Sequence, residues 1–170
     1  LTEIWGGDTL HDWRMAQIEE RFPESGPYCM DCNWQSAGQM PDDQLERYMP
    51  QLVSGEWLAA YALTEPGSGS DSAAMRTVAR RNGDDYYLTG GKRFITNAGV
   101  ANLYVVFAKT DEDAAHKGIS AFIVEKDFPG CEVGRIEPKM GIKGSTTGEI
   151  FFNECQVPAE NLRGEIGGGF

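Results

Sequence analysis

The chain has 170 residues and a formal net charge of −11, and 41% of its residues are hydrophobic. This apolar content is enough for the core of one ordinary domain, or of one domain with part of another, and it excludes a disordered chain. The negative charge argues against nucleic acid and anionic membrane surfaces as partners, because both require clustered basic residues. The sequence contains no apolar segment long enough to span a membrane and no signal-peptide pattern.

The N-terminal part contains one predicted helix and one cysteine pair. Residues 8–22 are expected to form a helix that ends before Pro23, because apolar side chains recur roughly on one face. Cys29 and Cys32 form a C-x-x-C pair, but no second pair or nearby histidine completes a zinc site. The pair also lacks the strand-to-helix context of a redox motif, so we interpret both cysteines as packed thiols.

A second helix is predicted from Pro41 to Leu52. Pro41 suits the first helical position because an amide is not needed there, and the acidic residues that follow it favour the positive end of the helix dipole. Gly55 is expected to end the helix. The apolar residues of this segment recur at helical spacing: Leu45, Tyr48, Met49 and Leu52.

The remainder of the chain is predicted to be β-structure. Short runs rich in β-branched and aromatic residues are separated by Gly, Asp, Asn and Pro: 77–81, 86–89, 93–96, 103–109, 119–125, 131–136 and 149–152. The spacing predicts an antiparallel barrel or sandwich, and Asn82-Gly83 predicts a type I′ hairpin turn. Because no long helix separates the runs, a βαβ dinucleotide fold is excluded. The fold class is therefore α+β, with a partial N-terminal helical segment followed by an antiparallel β-barrel or sandwich domain.

The most informative motif is the turn that follows the apolar run at residues 61–63. It reads Thr64-Glu65-Pro66-Gly67-Ser68-Gly69-Ser70-Asp71. Position 72 is Ser where the nucleotide fingerprint requires Gly, and no helix follows, so a nicotinamide site is not expected. The amides of Gly69 and Ser70, with the Ser70 hydroxyl, can cradle a pyrophosphate if they form a nest. An ordinary turn joining two strands is the alternative on composition alone.

A second motif, Phe94-Ile95-Thr96, places an aromatic ring and a hydroxyl two residues apart. The hydroxyls of Thr64 and Thr96 can bind the polar edge of a heterocycle while Phe94 covers its face. Taken singly, such residues more often pack or bond to their own neighbours. Together, the two motifs predict a site for a flat redox ring with a phosphate tail.

Few side chains suggest acid–base catalysis. The only histidines are His11 and His116, and the second lies in a polar connector, so the sequence does not support a catalytic triad. Glu65, Asp71 and Glu125 are possible acids or bases, but none has a neighbour that implies a shifted pKa. We interpret Glu65 and Asp71 as turn-capping residues.

Six blocks of the sequence resemble, in order and spacing, the middle part of acyl-CoA dehydrogenases: 52–57, 62–71, 91–98, 117–124, 139–147 and 157–162. The resemblance implies that residues 1–58 are part of an N-terminal helical domain, 59–163 a β-barrel middle domain, and 164–170 the start of a C-terminal helical domain. It implies an FAD-dependent enzyme that oxidises an acyl-CoA thioester at its α and β carbons and passes hydride to flavin N5.

The resemblance also implies contacts to FAD along two segments: Tyr61, Leu63, Thr64, Gly69, Ser70, Phe94, Ile95 and Thr96. In the family, the strand end in the first segment borders the isoalloxazine ring and the glycine loop serves the phosphates. The second segment wraps the other side of the flavin, with the Thr96 hydroxyl near N5. Ser70 is also implied to lie near the pantetheine arm of the substrate.

Two departures from the family stand out. Many relatives carry Trp where this chain has Phe94, so a face-on contact is kept but the indole N–H is lost. The glutamate that removes the substrate's α proton lies in the family's C-terminal domain, outside this sequence. We therefore assign no catalytic residue here and expect the chain to be inactive alone.

The resemblance further implies an electron-transfer flavoprotein as electron acceptor, a homotetrameric full-length protein, and a location in the bacterial cytoplasm or the mitochondrial matrix. Two alternatives stay open. The first is an acyl-CoA oxidase or flavin monooxygenase of similar fold. The second is a truncated module without catalytic function.

Overall fold

The structure is a computed structural model that describes residues 41–169. The chain divides into two compact units, Leu1–Trp57 and Leu58–Phe170. The helix predicted at residues 8–22, the Cys29/Cys32 pair and His11 lie outside the described residues. Within residues 41–169, every helix is too short or too polar to cross a membrane.

In the first unit, helix α1 spans Asp42–Val53. Pro41 precedes the helix instead of forming its first residue, because its ψ of 156° is extended. Its carbonyl accepts the amides of Gln44 and Leu45 at 3.1 and 3.0 Å, which begins the helical hydrogen bonding. Gly55 follows the helix with a φ of 75°, a conformation that glycine adopts without strain. The predicted apolar face is buried: Leu45, Tyr48, Met49 and Leu52.

The second unit is an eight-stranded sheet whose strands are β1 Ala59–Ala62, β2 Val78–Asn82, β3 Asp85–Thr96, β4 Leu103–Lys109, β5 Ile119–Glu125, β6 Cys131–Ile136, β7 Thr147–Pro158 and β8 Leu162–Arg163. Their order is β6-β7-β3-β2-β4-β5-β8, and β1 pairs with β4. Only the β1–β4 and β2–β4 pairs are parallel. The only helical elements in the described segments between strands are 3₁₀ turns of three or four residues. The predicted α+β class with a largely antiparallel β-domain is confirmed.

Two of the predicted strands, 86–89 and 93–96, are parts of one long strand, β3. The glycine pair between them indicated a break, because glycine weakens strands. The strand continues because β7 pairs with it on both sides of the glycines. The pairing register shifts twice, and the second shift lies between Lys92 and Ile95. The first shift places the extra residue in β7, and the second places it in β3, so a β-bulge bends β3 just after its glycine pair.

The predicted hairpin after β2 is present, but its turn is not of type I′. Asn82 pairs with Asp85, so the two loop residues are Gly83 and Asp84. Of these, Gly83 has a positive φ of 63°, whereas a type I′ turn requires positive φ at both loop residues. The prediction was wrong by one residue of register, because Asn82 takes part in the strand pairing.

Strands β4 and β5 form the most deeply buried part of the sheet. Each has six consecutive buried residues followed by one that is half-buried. Continuous apolar runs of this kind are expected where a strand is covered on both faces. Two clusters of buried side chains result. The larger includes Tyr104, Phe122, Ile150 and Phe152, and the smaller consists of Met75, Val105, Phe107, Ile119 and Ala121.

Candidate functional site

The two segments that carry the predicted site residues lie side by side. The first follows β1 and begins with Leu63 and Thr64, and the second is the bulged part of β3. The amide of Arg93 donates to the Thr64 carbonyl at 2.8 Å, and the Lys92 ammonium donates to the Leu63 carbonyl at 3.1 Å. One main-chain and one side-chain hydrogen bond therefore join two segments that are distant in sequence.

Phe94 has an unusual backbone conformation. It lies in the bulge that follows Lys92, and its φ is 58°. A left-handed conformation costs a bulky residue about 1–2 kcal/mol. The side chain is 57% exposed, and the Arg93 guanidinium lies 4.9 Å from the ring centroid. An exposed aromatic residue in a strained conformation points to function more than to packing.

The two residues after Phe94 lie in different environments. Ile95 is only 2% exposed and belongs to the larger core cluster, so its side chain cannot contact a ligand and only its main chain is available. Thr96 is exposed, and its hydroxyl forms no hydrogen bond with the residues that the structure describes. The segment therefore presents one aromatic ring and one hydroxyl to the surface.

The end of β1 contributes three further predicted residues. Tyr61 is 40% exposed, and its ring centroid lies 4.8 Å from that of Phe107. Leu63 is half-buried against the smaller core cluster. Thr64 is also half-buried, and its hydroxyl has no hydrogen-bonding partner among residues 41–169. This strand end offers a ring, an apolar side chain and a hydroxyl next to Arg93.

The glycine loop is closed at its base and open at its tip. Glu65 and Ser68 exchange main-chain hydrogen bonds of 3.0 and 3.1 Å. The buried Ser68 hydroxyl lies 2.8 Å from the Asp71 carbonyl, to which it donates. Gly69 and Ser70 are exposed, and their amides bond to no residue within the described range. A Cβ built on Gly69 would meet no atom within 4 Å. The loop therefore holds two exposed, unpaired amides on a fixed base.

A buried ion pair, which the sequence analysis missed, lies between the two segments. The Lys92 ammonium is 2.8 Å from Glu65 Oε1, and the two side chains are 0% and 5% exposed. Glu65 also accepts the amides of Arg76 and Thr77 at 2.6 and 3.1 Å. Burial by itself would raise the pKa of Glu65, but the hydrogen bonds from Lys92, Thr77 and Arg76 outweigh it and lower that pKa. Burial lowers the pKa of Lys92, and Glu65 opposes this effect.

The alternation of β3 was a signal for this ion pair. Tyr86 and Leu88 are buried, and successive side chains of a strand point to opposite faces. Lys92 is separated from both residues by an even number of positions, so its side chain also points to the buried face. The signal was missed because the glycine pair appeared to divide the strand. Glu65 was predicted to cap its own turn, but its carboxylate binds the amides of Arg76 and Thr77 and the Lys92 ammonium, all outside that turn, which contradicts the predicted capping role.

Among the other candidate acids and bases, Glu125 lies at the end of β5, where it pairs with Leu103 of β4. Asp71 is exposed and its side chain does not cap the 3₁₀ turn Ser72–Ala74, which contradicts the predicted capping role. His116 is exposed in the 3₁₀ turn Ala115–Gly118. In the described part of the chain, no cluster of three or more His, Cys, Asp or Glu side chains is suited to a metal ion.

One open cavity of about 530 Å³ contains none of the predicted site residues. It lies between β2 and the loop that follows β4, and its lining residues include Arg80, Tyr86, Lys109, Glu112 and Ile166. Arg80 and Glu112 form an exposed ion pair there at 3.1 Å. This cavity is not the place where the two predicted motifs meet.

Comparisons with known proteins identify the class of this domain. The family profile described as "Acyl-CoA dehydrogenase, middle domain" matches residues 60–155. A curated relative, the short-chain specific acyl-CoA dehydrogenase of Clostridium acetobutylicum, is 49% identical over 76% of this chain and 34% of its own length. The matched region is thus the middle domain of the acyl-CoA dehydrogenase family, and it covers most of the second unit.

Solved structures agree with this assignment. Butyryl-CoA dehydrogenase from Megasphaera elsdenii superposes with a TM-score of 0.77 at 39% identity, over 99% of this chain and 46% of that one. A glutaryl-CoA dehydrogenase from Mycobacterium smegmatis in complex with FADH2 superposes with a TM-score of 0.67 at 35% identity, over 73% of this chain and 31% of that one. The chain belongs to the acyl-CoA dehydrogenase family. It spans about a third of the length of the curated relatives that it matches.

Proposed function

We propose that this chain is the flavin-facing β-domain of an FAD-dependent acyl-CoA dehydrogenase, which oxidises an acyl-CoA thioester at its α and β carbons. The observation that carries the proposal is the 2.8 Å hydrogen bond from the Arg93 amide to the Thr64 carbonyl. It joins the two segments whose residues match the family's cofactor motifs. Family membership and the FADH2 complex of a structural neighbour support the same conclusion.

The residues at the joined segments fit FAD. The unpaired amides of Gly69 and Ser70 suit a pyrophosphate, and the space around Gly69 leaves room for its close approach. The exposed ring of Phe94 suits the face of the isoalloxazine. The hydroxyls of Thr64 and Thr96, which have no partner within the described residues, suit its polar edge.

These observations support the eight cofactor contacts as proposed. The first segment supplies Tyr61, Leu63 and Thr64 beside the ring, and Gly69 and Ser70 at the phosphates. The second supplies the ring of Phe94, the hydroxyl of Thr96 and the main chain of Ile95, whose side chain is buried. The Ser70 hydroxyl is also proposed to contact the pantetheine arm of the substrate.

FAD, when bound, supplies the acceptor for the hydride that leaves the β carbon of the substrate. The contribution of the chain is orientation and electrostatics. Phe94 covers the ring and fixes its plane, and the Thr96 hydroxyl donates a hydrogen bond at the ring edge. A fixed donor there stabilises the charge that develops during reduction. Half-buried Leu63 excludes water from this side of the site.

We assign the removal of the α proton to a glutamate in the C-terminal domain, outside this sequence. Glu65, the buried carboxylate at the junction, is already bound by the Lys92 ammonium and two backbone amides. Its lowered pKa also makes it a weak base. For the whole protein we propose an acyl-CoA substrate, an electron-transfer flavoprotein as acceptor and a homotetramer, in the bacterial cytoplasm or the mitochondrial matrix.

The test uses the full-length protein that contains this chain. We expect the purified protein to show flavin absorbance and to reduce an artificial electron-accepting dye when an acyl-CoA is added. Thr96→Val should lower the rate of dye reduction, because it removes the proposed hydrogen bond to the flavin. Its effect on folding stability should be small, because Thr96 is exposed. Absence of flavin after reconstitution would contradict the proposal. Rapid reaction of the reduced flavin with oxygen would favour an oxidase or monooxygenase, and turnover by residues 1–170 alone would refute the placement of the base.

A further inference from the structure

The attraction between the buried charges of Lys92 and Glu65 is by itself weak evidence for a contribution to net stability. Both charges are almost fully removed from water, at 0% and 5% exposure. Desolvation of two charges offsets most of their attraction, and apolar residues of similar size often stabilise a protein equally well or better. A buried pair at this position therefore calls for a role other than net stability.

The contacts of the pair suggest a role in local geometry. The Lys92 ammonium donates to Glu65 Oε1 and to the Leu63 carbonyl, at 2.8 and 3.1 Å. Glu65 accepts the amides of Arg76 and Thr77, which lead into β2. One ammonium and one carboxylate thus join the strand end after β1, the start of β2 and the middle of β3. An apolar pair cannot replace these bonds, because carbonyls and amides need polar partners when buried.

The position of Lys92 in β3 makes this junction relevant to the site. Lys92 directly precedes the bulge, and Ile95 follows it in the core, so both ends of the bulge are anchored. Phe94 lies between them in its left-handed conformation. On the other side, Leu63 is bonded to Lys92 and precedes Thr64. Movement of Lys92 would displace the Phe94 ring relative to the end of the first strand.

We propose that Lys92 and Glu65 are positioning residues for FAD. They set the spacing between the two segments that hold the flavin ring, and they touch neither cofactor nor substrate. This inference rests on the proposed function. The pair acts through the Leu63 carbonyl and the main chain of the bulge. Loss of the ion pair therefore weakens flavin binding and alters the environment of the flavin ring. Both effects exceed those of a substitution elsewhere in the domain that lowers stability by the same amount.

The test compares variants of the full-length protein. Lys92→Met removes the positive charge but keeps a side chain of similar length. Glu65→Gln removes the negative charge but keeps the shape of the side chain, and Lys92→Arg keeps the positive charge. Val157→Ala is the matched control. Val157 is buried and pairs with Tyr86, six residues from Lys92 along β3, which is about 20 Å away. For each variant the melting temperature, the Kd for added FAD by flavin fluorescence, and the visible spectrum of the bound flavin are measured.

We expect Lys92→Met and Glu65→Gln to weaken FAD binding by about tenfold or more and to shift the visible spectrum of the flavin, because small displacements of a positioned group have large effects. Val157→Ala should lower the melting temperature but keep the wild-type spectrum and Kd. Lys92→Arg should recover part of the affinity. If Lys92→Met does not fold, Glu65→Gln and Lys92→Arg carry the comparison.

The outcomes separate this inference from the proposed function. If the wild-type protein binds no flavin, both are overturned. If it binds flavin but Lys92→Met and Glu65→Gln match Val157→Ala in Kd and spectrum, only the positioning role is overturned, and the pair is then a structural contact without influence on the cofactor.

Discussion

Replacement of Phe94 by glycine should separate ligand binding from folding. Because the side chain is 57% exposed, truncation removes less than half of the burial energy of a core aromatic, or about 1 kcal/mol. Loss of the exposed contact with Arg93 adds about 0.5–1 kcal/mol. Glycine also raises the chain entropy of unfolding by about 0.5–1 kcal/mol, but relief of the left-handed φ of 58° offsets about 1–2 kcal/mol. The free energy of unfolding should therefore fall by only about 1 kcal/mol.

Flavin affinity should fall further than stability. Contact with a ring would bury the exposed 57% of the side chain, which contributes about 1–1.7 kcal/mol. An aromatic pair adds about 0.5–1.5 kcal/mol beyond area burial. Together these terms predict a loss of about 1.5–3 kcal/mol in binding, or tenfold to more than a hundredfold in Kd. Phe94→Trp should keep or improve the affinity, because it preserves the aromatic face.

The assay combines urea unfolding of the protein without flavin, followed by far-UV circular dichroism, with fluorescence titration of FAD. Phe122→Ala is the control for a core aromatic, because Phe122 is 0% exposed and its truncation should cost about 3–5 kcal/mol. A loss of more than about 2 kcal/mol in Phe94→Gly would show that Phe94 is a packing residue. Unchanged flavin affinity in the same variant would refute its place in the site.

Three further predictions concern the scaffold. Gly90→Ala should lower the free energy of unfolding in urea by about 2–4 kcal/mol, because the added methyl group would lie 2.7 Å from the Cα of Thr77, the residue before β2. Gly67→Ala should change the stability little, because a methyl group there would meet no atom within 4 Å. Because the pKa of Glu65 is lowered in the folded protein, the stabilisation by its carboxylate should be complete above pH 4.5 and be lost as the pH falls through the lower folded pKa. The difference in free energy of unfolding between the wild type and Glu65→Gln should therefore shrink over that acid range. A constant difference would contradict this assignment. A hydrogen bond with Cys155 lowers the pKa of the Cys131 thiol, whereas the same bond and burial raise the pKa of Cys155. Iodoacetamide should therefore label Cys131 before Cys155, as followed by peptide mass spectrometry. Preferential labelling of Cys155 would contradict the assigned pKa directions.

Local sequence patterns were sufficient for most of the secondary structure. The runs at β4, β5 and β6 have the predicted limits, because β-branched and aromatic residues bounded by turn residues specify strands without distant information. Helix α1 was predicted from its apolar period and its flanking Pro41 and Gly55. The resemblance to the acyl-CoA dehydrogenase family was also present in the sequence, since its motifs are contiguous blocks.

The sequence alone thus determined most of the described elements, the family and the residues proposed to face the cofactor. Only the tertiary structure decided that β3 continues through its glycines, because the pairing with β7 is made by residues far along the chain. It also decided that Phe94 lies exposed in a left-handed bulge and that Lys92 pairs with Glu65, 27 residues away. Local propensity acts over a few neighbouring residues, whereas a buried charge finds its partner only after the segments that carry both have been brought together.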